Sequence, residues 1–242
     1  MNITNKAIII TGASGGIGQE TARILAKSGA KLMLTARREN VLQQLQSELT
    51  DAGATAIIHT GDVTVEADCR AIVAATVEAF GTVDVLVNNA GYGPPVSLLE
   101  TTEEIWDATI DSCLKSAYLM TRAAVPHMLE NGGGTVVNIS SVAGKYGYAD
   151  RTAYCAAKWG MQGFTEALRD ELGGQGIRAY TVNPGAVATP WWGATNDAQP
   201  DEIMAKMIQP EEVAEAVDWS LTQPERIQID EVMLKTFRSP WE

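Results

Sequence analysis

Ala7-Ile8-Ile9-Ile10-Thr11-Gly12-Ala13-Ser14-Gly15-Gly16-Ile17-Gly18 decides the fold. A β-branched apolar run stops at a turn of small residues, and a stretch with helical apolar spacing, Ile17–Lys27, follows at once. Glycines between a strand and a helix let the main chain come close to a pyrophosphate, whose charge meets unpaired amides and the positive end of the helix dipole. Gly12, Ser14, Gly16, Ile17 and Gly18 are therefore candidate dinucleotide contacts. Three residues separate Gly12 from Gly16, so the spacing is not G-x-G-x-x-G, and no Lys-Ser/Thr pair follows, which argues against a nucleoside-triphosphatase P-loop.

Outward from this turn the same unit repeats: a short β-rich run, a polar or glycine turn, then a longer helical pattern. The candidate strands are Ala7–Thr11, Lys31–Thr35, Thr55–Thr60, Val83–Asn88, Thr135–Ser140, Ile177–Val182 and Ile227–Val232. Between them the spacing predicts helices over Ile17–Lys27, Glu39–Asp51, Glu66–Phe80, Glu103–Glu130, Ala153–Leu172 and Glu211–Leu221. Alternation of this kind means βαβ units and an α/β, Rossmann-type, doubly wound parallel sheet of about seven strands with helices on both faces. No Pro/Ser-rich linker interrupts it, so residues 1–242 read as a single dinucleotide-binding domain. Trp159, Met161, Phe164 and Leu168 lie on more than one face of the Ala153–Leu172 helix. Such a helix is covered twice, by its own sheet and either by a second subunit or by more of the same chain.

The bulk composition narrows the partners. A formal net charge of -12 repels nucleic-acid phosphates and anionic membranes, so neither is expected as a partner, and any phosphate-bearing ligand must be held by a local site. Cys69, Cys113 and Cys155 lack the close Cys/His spacing of a zinc site or disulfide scaffold. Free thiols in a reducing cytoplasm and no bound metal are the expectation. The first ten residues do not resemble a signal peptide, and no apolar stretch approaches membrane-spanning length.

Two clusters carry chemistry. Just after the second strand, where a carboxylate would bond the ribose of NAD, stand Arg37 and Arg38. A guanidinium fork suits a 2′-phosphate and a carboxylate would repel it, so NADP(H) is the expected cofactor, the alternative being two arginines that solvate a helix start. Tyr154 and Lys158 stand four residues apart, on one helical face. An ammonium near a phenol stabilises the phenolate and brings its proton exchange toward neutral pH. Ser140-Ser141 ends the preceding strand, and Asn88-Asn89-Ala90-Gly91 closes the fourth. In a parallel sheet those carboxyl ends border the ligand crevice.

Taken together, these residues resemble the short-chain dehydrogenase/reductase family over essentially the whole chain. Thr11, Gly12, Gly16 and Gly18 match its glycine turn, and Asn88 to Gly91 its Asn-Asn-Ala-Gly, with Asn89, Ala90 and Gly91 implied at the cofactor. The family's serine lies thirteen positions before its tyrosine, and 154 - 13 = 141 selects Ser141 over Ser140. The resemblance also implies adenine contacts at Asp62 and Val63, and cofactor contacts at Pro184, Gly185, Val187 and Thr189. By the family mechanism, hydride passes between the nicotinamide and a carbonyl or secondary alcohol, Tyr154 gives or takes the proton, Ser141 orients the oxygen, and Lys158 tunes the phenol and holds the nicotinamide ribose. One position departs: within Trp106-Asp107-Ala108-Thr109-Ile110-Asp111-Ser112-Cys113-Leu114 the usual asparagine is Cys113, an uncertain fourth catalytic position.

Residues 189–209, with Pro190, Trp191, Trp192, Gly193, Met204, Met207 and Ile208, read as a substrate lid over a partly apolar pocket, the alternatives being a packed surface loop or a subunit contact. The ending, Ile227-Gln228-Ile229-Asp230-Glu231-Val232, is similar to the branch of 3-hydroxy acid dehydrogenases and carbonyl reductases, which implies a hydroxy acid or small ketone as substrate. The resemblance further implies a homotetramer or homodimer joined through the helices that bear Cys113 and Tyr154. Two competing readings are a dinucleotide-binding sensor or scaffold without turnover, to which Cys113 lends support, and an NAD-linked alcohol dehydrogenase.

Overall fold

The computed structural model describes residues 2–241. Seven parallel strands form one sheet in the order β3-β2-β1-β4-β5-β6-β7. They are β1 (Ala7–Thr11), β2 (Lys31–Ala36), β3 (Thr55–Thr60), β4 (Val85–Asn88), β5 (Gly134–Ile139), β6 (Ile177–Pro184) and β7 (Glu231–Leu234). The expected Rossmann-type α/β architecture is therefore the observed one.

Alternation along β1 sets the two layers. Ile8 and Ile10 pack against α1 (Gly16–Lys27), α2 (Glu39–Asp51) and α7 (Pro210–Thr222), through Leu25, Leu45 and Val217 among others. Ile9 faces the other way, toward α3 (Glu66–Phe80), α5 (Ser116–Glu130) and α6 (Thr152–Leu172). Every residue of β1 is buried, as a central parallel strand covered on both faces requires. Among the described residues, no helix is long and apolar enough to cross a membrane.

Two elements depart from the sequence expectation. The helix expected over Glu103–Glu130 is broken into α4 (Glu103–Ile110) and α5 by a π-turn at Asp111–Lys115. Its widened turn lets consecutive side chains reach one piece of backbone: Ser112 Oγ accepts from the Tyr92 amide at 3.2 Å and donates to the Tyr92 carbonyl at 3.1 Å, and Cys113 Sγ donates to that carbonyl at 3.3 Å. The last strand lies further along than Ile227–Val232. Its ladder with β6 begins only at Glu231 opposite Thr181, while the Gln228 side chain reaches the Ala179 carbonyl at 3.4 Å. The shift carries Leu234 to the end of β6, where its carbonyl accepts from Gly185 at 2.8 Å.

A buried amide chain ties the sheet to α6. Asn88 and Asn138 stand opposite each other in β4 and β5, and Asn88 Nδ2 donates to Asn138 Oδ1 at 2.8 Å. Asn138 Nδ2 in turn donates to Thr165 Oγ1 on α6 at 2.7 Å. Removing a buried partner from such a chain leaves polar atoms unsatisfied, at about 1 to 3 kcal/mol. Asn138→Ala is accordingly expected to lower unfolding stability by about that amount in urea titrations; an unchanged midpoint would show that the chain does not secure α6.

Candidate active site

The carboxyl ends of β1 and β4 to β6 border a cleft of about 1500 Å³. It opens where strand order reverses, because the chain leaves β1 toward β2 and β3 and later returns to β1's other side as β4. All the dinucleotide positions expected from the sequence lie on its wall except Gly18. Gly18 instead packs beneath the turn, where an added Cβ would sit 2.5 Å from both Asn89 Nδ2 and the Gly12 carbonyl.

Local hydrogen bonds build the turn. Thr11 Oγ1 accepts from the Asn89 amide at 2.9 Å and from the Ala90 amide at 3.1 Å. Asn89 Nδ2 donates back to the Thr11 carbonyl at 2.9 Å and the Gly12 carbonyl at 3.3 Å. Gly12 itself takes φ +65, a left-handed conformation that favours glycine, and a Cβ there would press on Asn89. Helix α1 begins without a side-chain cap at Gly15, which leaves its first amides without a capping side chain. Such a cradle, with backbone where side chains would otherwise stand, fits a pyrophosphate.

The basic pair divides its work. Arg38 reaches back over the turn, donating to the Ser14 carbonyl at 2.8 Å and to Ser14 Oγ at 3.1 Å. Arg37 is exposed on the cleft wall beside Asp62. Partial burial acts to raise the Asp62 carboxyl, but two Thr64 hydrogen bonds and the Arg37 charge together hold it below the usual carboxylate range.

Ser141, Tyr154 and Lys158 converge at the far end of the same cleft. Ser141 lies beside the phenol and acts to lower its pKa, and its Oγ accepts from the Ala143 amide at 3.1 Å. Ser140 turns away to α6, where its hydroxyl donates to the Lys158 carbonyl at 3.3 Å, so the two adjacent serines have different surroundings. Lys158 is buried. Its ammonium donates to the Ile139 carbonyl at 2.8 Å and lies 5.6 Å from the centre of the Tyr154 ring.

Burial dominates both titrating groups. It pushes the Tyr154 phenol well above its ordinary value, assisted by the nearby Cys113, while the Ser141 hydrogen bond and the Arg151 charge act the other way. Burial likewise pushes the Lys158 ammonium down. The sequence predicts that Lys158 lowers the phenol; burial instead raises it, and the charge that acts to lower it is that of Arg151.

Cys113 does not reach the cleft wall; it is buried, with its thiol on the Tyr92 carbonyl. The segment read as a lid divides. Trp191 and Trp192 line the cleft, but Met207 and Ile208 are buried away from it, Ile208 bridging to Val187. Sequence reasoning missed Arg151, Asp197, Gln199 and Trp241, which also line this end. An arginine three residues before the tyrosine and a tryptophan beside the chain end were the available signals.

Comparison with known proteins is decisive at this point. The short chain dehydrogenase family profile matches residues 6–200. The chain belongs to the short-chain dehydrogenases. Over 240 residues, covering 97% of each chain, it is 32% identical to the uncharacterized oxidoreductase SSP1627 of Staphylococcus saprophyticus. Among solved structures, it is similar to an alcohol dehydrogenase from the archaeon Thermococcus sibiricus complexed with 5-hydroxy-NADP, with TM-score 0.88, 30% identity and coverage of 96% of this chain and 97% of that one. A metagenomic short-chain oxidoreductase in complex with NADP gives TM-score 0.85 and 33% identity, over 99% and 100% of the two chains. This short-chain dehydrogenase is thus an oxidoreductase of a family that uses NAD(P).

The raised Tyr154 value has a consequence for stability. A phenol that holds its proton more tightly when folded adds stability that is complete below the unfolded value of 10.0 and is lost as pH rises above it. Each pH unit in that window removes up to ~1.4 kcal/mol. Between about pH 9 and about pH 11, wild type is expected to lose more urea stability than Tyr154→Phe, which lacks the titrating group. Equal losses would mean the phenol is not desolvated.

Proposed function

We propose that this short-chain dehydrogenase is an NADP(H)-dependent enzyme that moves a hydride between the nicotinamide and a ketone, aldehyde or secondary alcohol. Residues 1–242 act as one catalytic unit, with the first half of 189–209, from Thr189 to Gln199, on the substrate side. The observation that carries this reading is the meeting of Ser141, Tyr154 and Lys158 in the cleft that the glycine turn opens.

The cofactor, when bound, supplies or accepts the hydride. Everything else falls to the chain. Ser141 holds the substrate oxygen beside the phenol, and Tyr154 gives it a proton in reduction or takes one in oxidation. Burial keeps the phenol protonated but weakens it as an acid, and the Ser141 and Arg151 contacts, by stabilising the phenolate, ease release of its proton. Lys158, fixed by the Ile139 carbonyl, presents positive charge under the ring and holds the nicotinamide ribose. At the other end, the cleft-lining Gly12, Ser14, Gly16 and Ile17 would hold the pyrophosphate, Asp62 and Val63 the adenine, and Asn89, Ala90 and Gly91 the middle of the cofactor. Pro184, Gly185, Val187 and Thr189 bound the nicotinamide end. Arg37 and Arg38 meet the 2′-phosphate. The NADP-type ligands of the two similar structures support that preference. Cys113 serves indirectly, holding the Tyr92 segment.

Assembly follows from the outer faces of α4 to α6. Trp106, Tyr118 and Trp159 are exposed there, with Leu99 in the turn before α4, and Tyr118 packs edge-on to Phe164 at 6.4 Å. A homodimer or homotetramer through these helices would cover them. A reducing cytoplasm suits the three buried free thiols.

A panel of ketones and aldehydes with NADPH and NADH, followed by cofactor absorbance, tests the reading. Turnover should prefer NADPH, fall by roughly 10²- to 10⁴-fold in Tyr154→Phe, and lose its NADPH preference by about tenfold or more in Arg37→Asp. Tight NADPH binding with no turnover on any compound would favour the sensor reading instead, and preference for NADH would favour an NAD-linked dehydrogenase. Sedimentation should give a dimer or tetramer; a monomer at micromolar concentration would refute the assembly.

A further inference from the structure

Arg151 begins α6, three residues before Tyr154, and its side chain is only 13% exposed. One nitrogen donates to the Gly93 carbonyl at 3.1 Å and another to the Asp197 carboxylate at 2.6 Å. The Trp191 and Trp192 rings lie 5.0 and 5.8 Å from its carbon centre. Asp197 is held in turn: its carboxylate accepts from Gln199 at 2.9 Å, and Gln199 Oε1 accepts from the Trp241 indole at 3.2 Å. Trp191 stands 5.7 Å from the Tyr154 ring, so this cluster walls the space in front of the phenol.

A guanidinium beside a reacting hydroxyl would ordinarily recruit a substrate carboxylate, because its planar fork pairs anions in two bonds at once. Here that capacity is occupied. Asp197 neutralises the charge and the two indoles lie against it. An incoming carboxylate would face a like charge and would have to break an enclosed ion pair, stranding Asp197. A neutral flat molecule meets indole and phenol faces instead, from Trp191, Trp192, Trp241 and Tyr148.

We infer that the chamber in front of Tyr154 takes neutral aromatic or apolar carbonyl compounds, and that Asp197, by occupying Arg151, is the specificity-determining residue that turns carboxylate-bearing ones away. This rests on the proposed carbonyl chemistry of the cleft, and it runs against the hydroxy-acid substrate implied by the chain's ending. Lys235 is another cation on this wall, 5.3 Å from the Tyr146 ring. The test must therefore separate it from Arg151.

Ethyl phenylglyoxylate and phenylglyoxylate carry the same aryl ketone and differ in charge. With NADP⁺ present, quenching of tryptophan fluorescence reads their binding, and NADPH oxidation reads turnover separately. Wild type is expected to bind the ester at least about tenfold more tightly than the acid. Asp197→Asn, which keeps the side-chain size and frees the guanidinium, should move that ratio at least about tenfold toward the acid, and adding Arg151→Gln should abolish the move. Asp197→Glu, which restores a carboxylate, should restore the ester preference, and circular dichroism checks that each variant folds. The inference is overturned if wild type binds neither probe or both equally, or if Asp197→Asn folds and leaves the ratio unmoved. A move that persists without Arg151 would assign the preference to another cation of the cleft, Lys235 or Lys158, and overturn it too. Binding in the expected ratio without NADPH oxidation would leave the inference standing and overturn the proposed reaction.

Discussion

Thr11 and Asn89 join the ends of β1 and β4, and the cleft depends on that junction. The two strands are neighbours in the sheet though more than seventy residues apart in sequence, and the chain departs from them in opposite directions. Their ends therefore leave a crevice instead of a covered surface. The threonine hydroxyl takes two amides from beyond β4, and the asparagine amide returns two bonds to the glycine turn. With that brace in place, the turn's shape no longer depends on a bound phosphate. It is a preorganised surface of main chain, and the short contacts a Cβ would make at Gly12 and Gly18 show how little room it leaves.

The chemistry at the other end rests on a different constraint, the burial of Lys158 and partial burial of Tyr154, which disfavours the charged form of each. Neighbours offset this for each. Lys158 keeps a carbonyl partner, and Tyr154 keeps a hydroxyl partner with a guanidinium within electrostatic reach. The asparagine and threonine chain behind them, from β4 through β5 to α6, fixes the helix that carries both. Positioning and electrostatics thus come from one set of buried polar contacts, which the apolar layers on either side of the sheet enclose.

Much of this was legible in the sequence, for physical reasons that differ along the chain. Ile8, Ile9 and Ile10 next to the glycine turn could form little else than a buried parallel strand, and the regular alternation after them fixed the layers. Local spacing placed Tyr154 and Lys158 on one face. The π-turn at Asp111–Lys115 was not legible, because its cause is non-local: Ser112 and Cys113 both reach Tyr92, some twenty residues earlier. For the same reason β7 was set too early, since Ile227 to Ile229 look like a strand in isolation while the ladder is decided by the register with Thr181. Arg151 is not legible because its partners, Gly93 and then Trp191, Trp192 and Asp197, come from two segments some forty or more residues away.

The central claim is that the braced turn and the buried phenol serve one hydride transfer in one cleft. The most direct measurement uses NADPH dideuterated at nicotinamide C4 with an aryl ketone, and reads the alcohol by mass spectrometry. The account expects one deuterium on the carbinol carbon of the product. Alcohol formed without the label, or none formed from any carbonyl offered while the cofactor is bound, would contradict it.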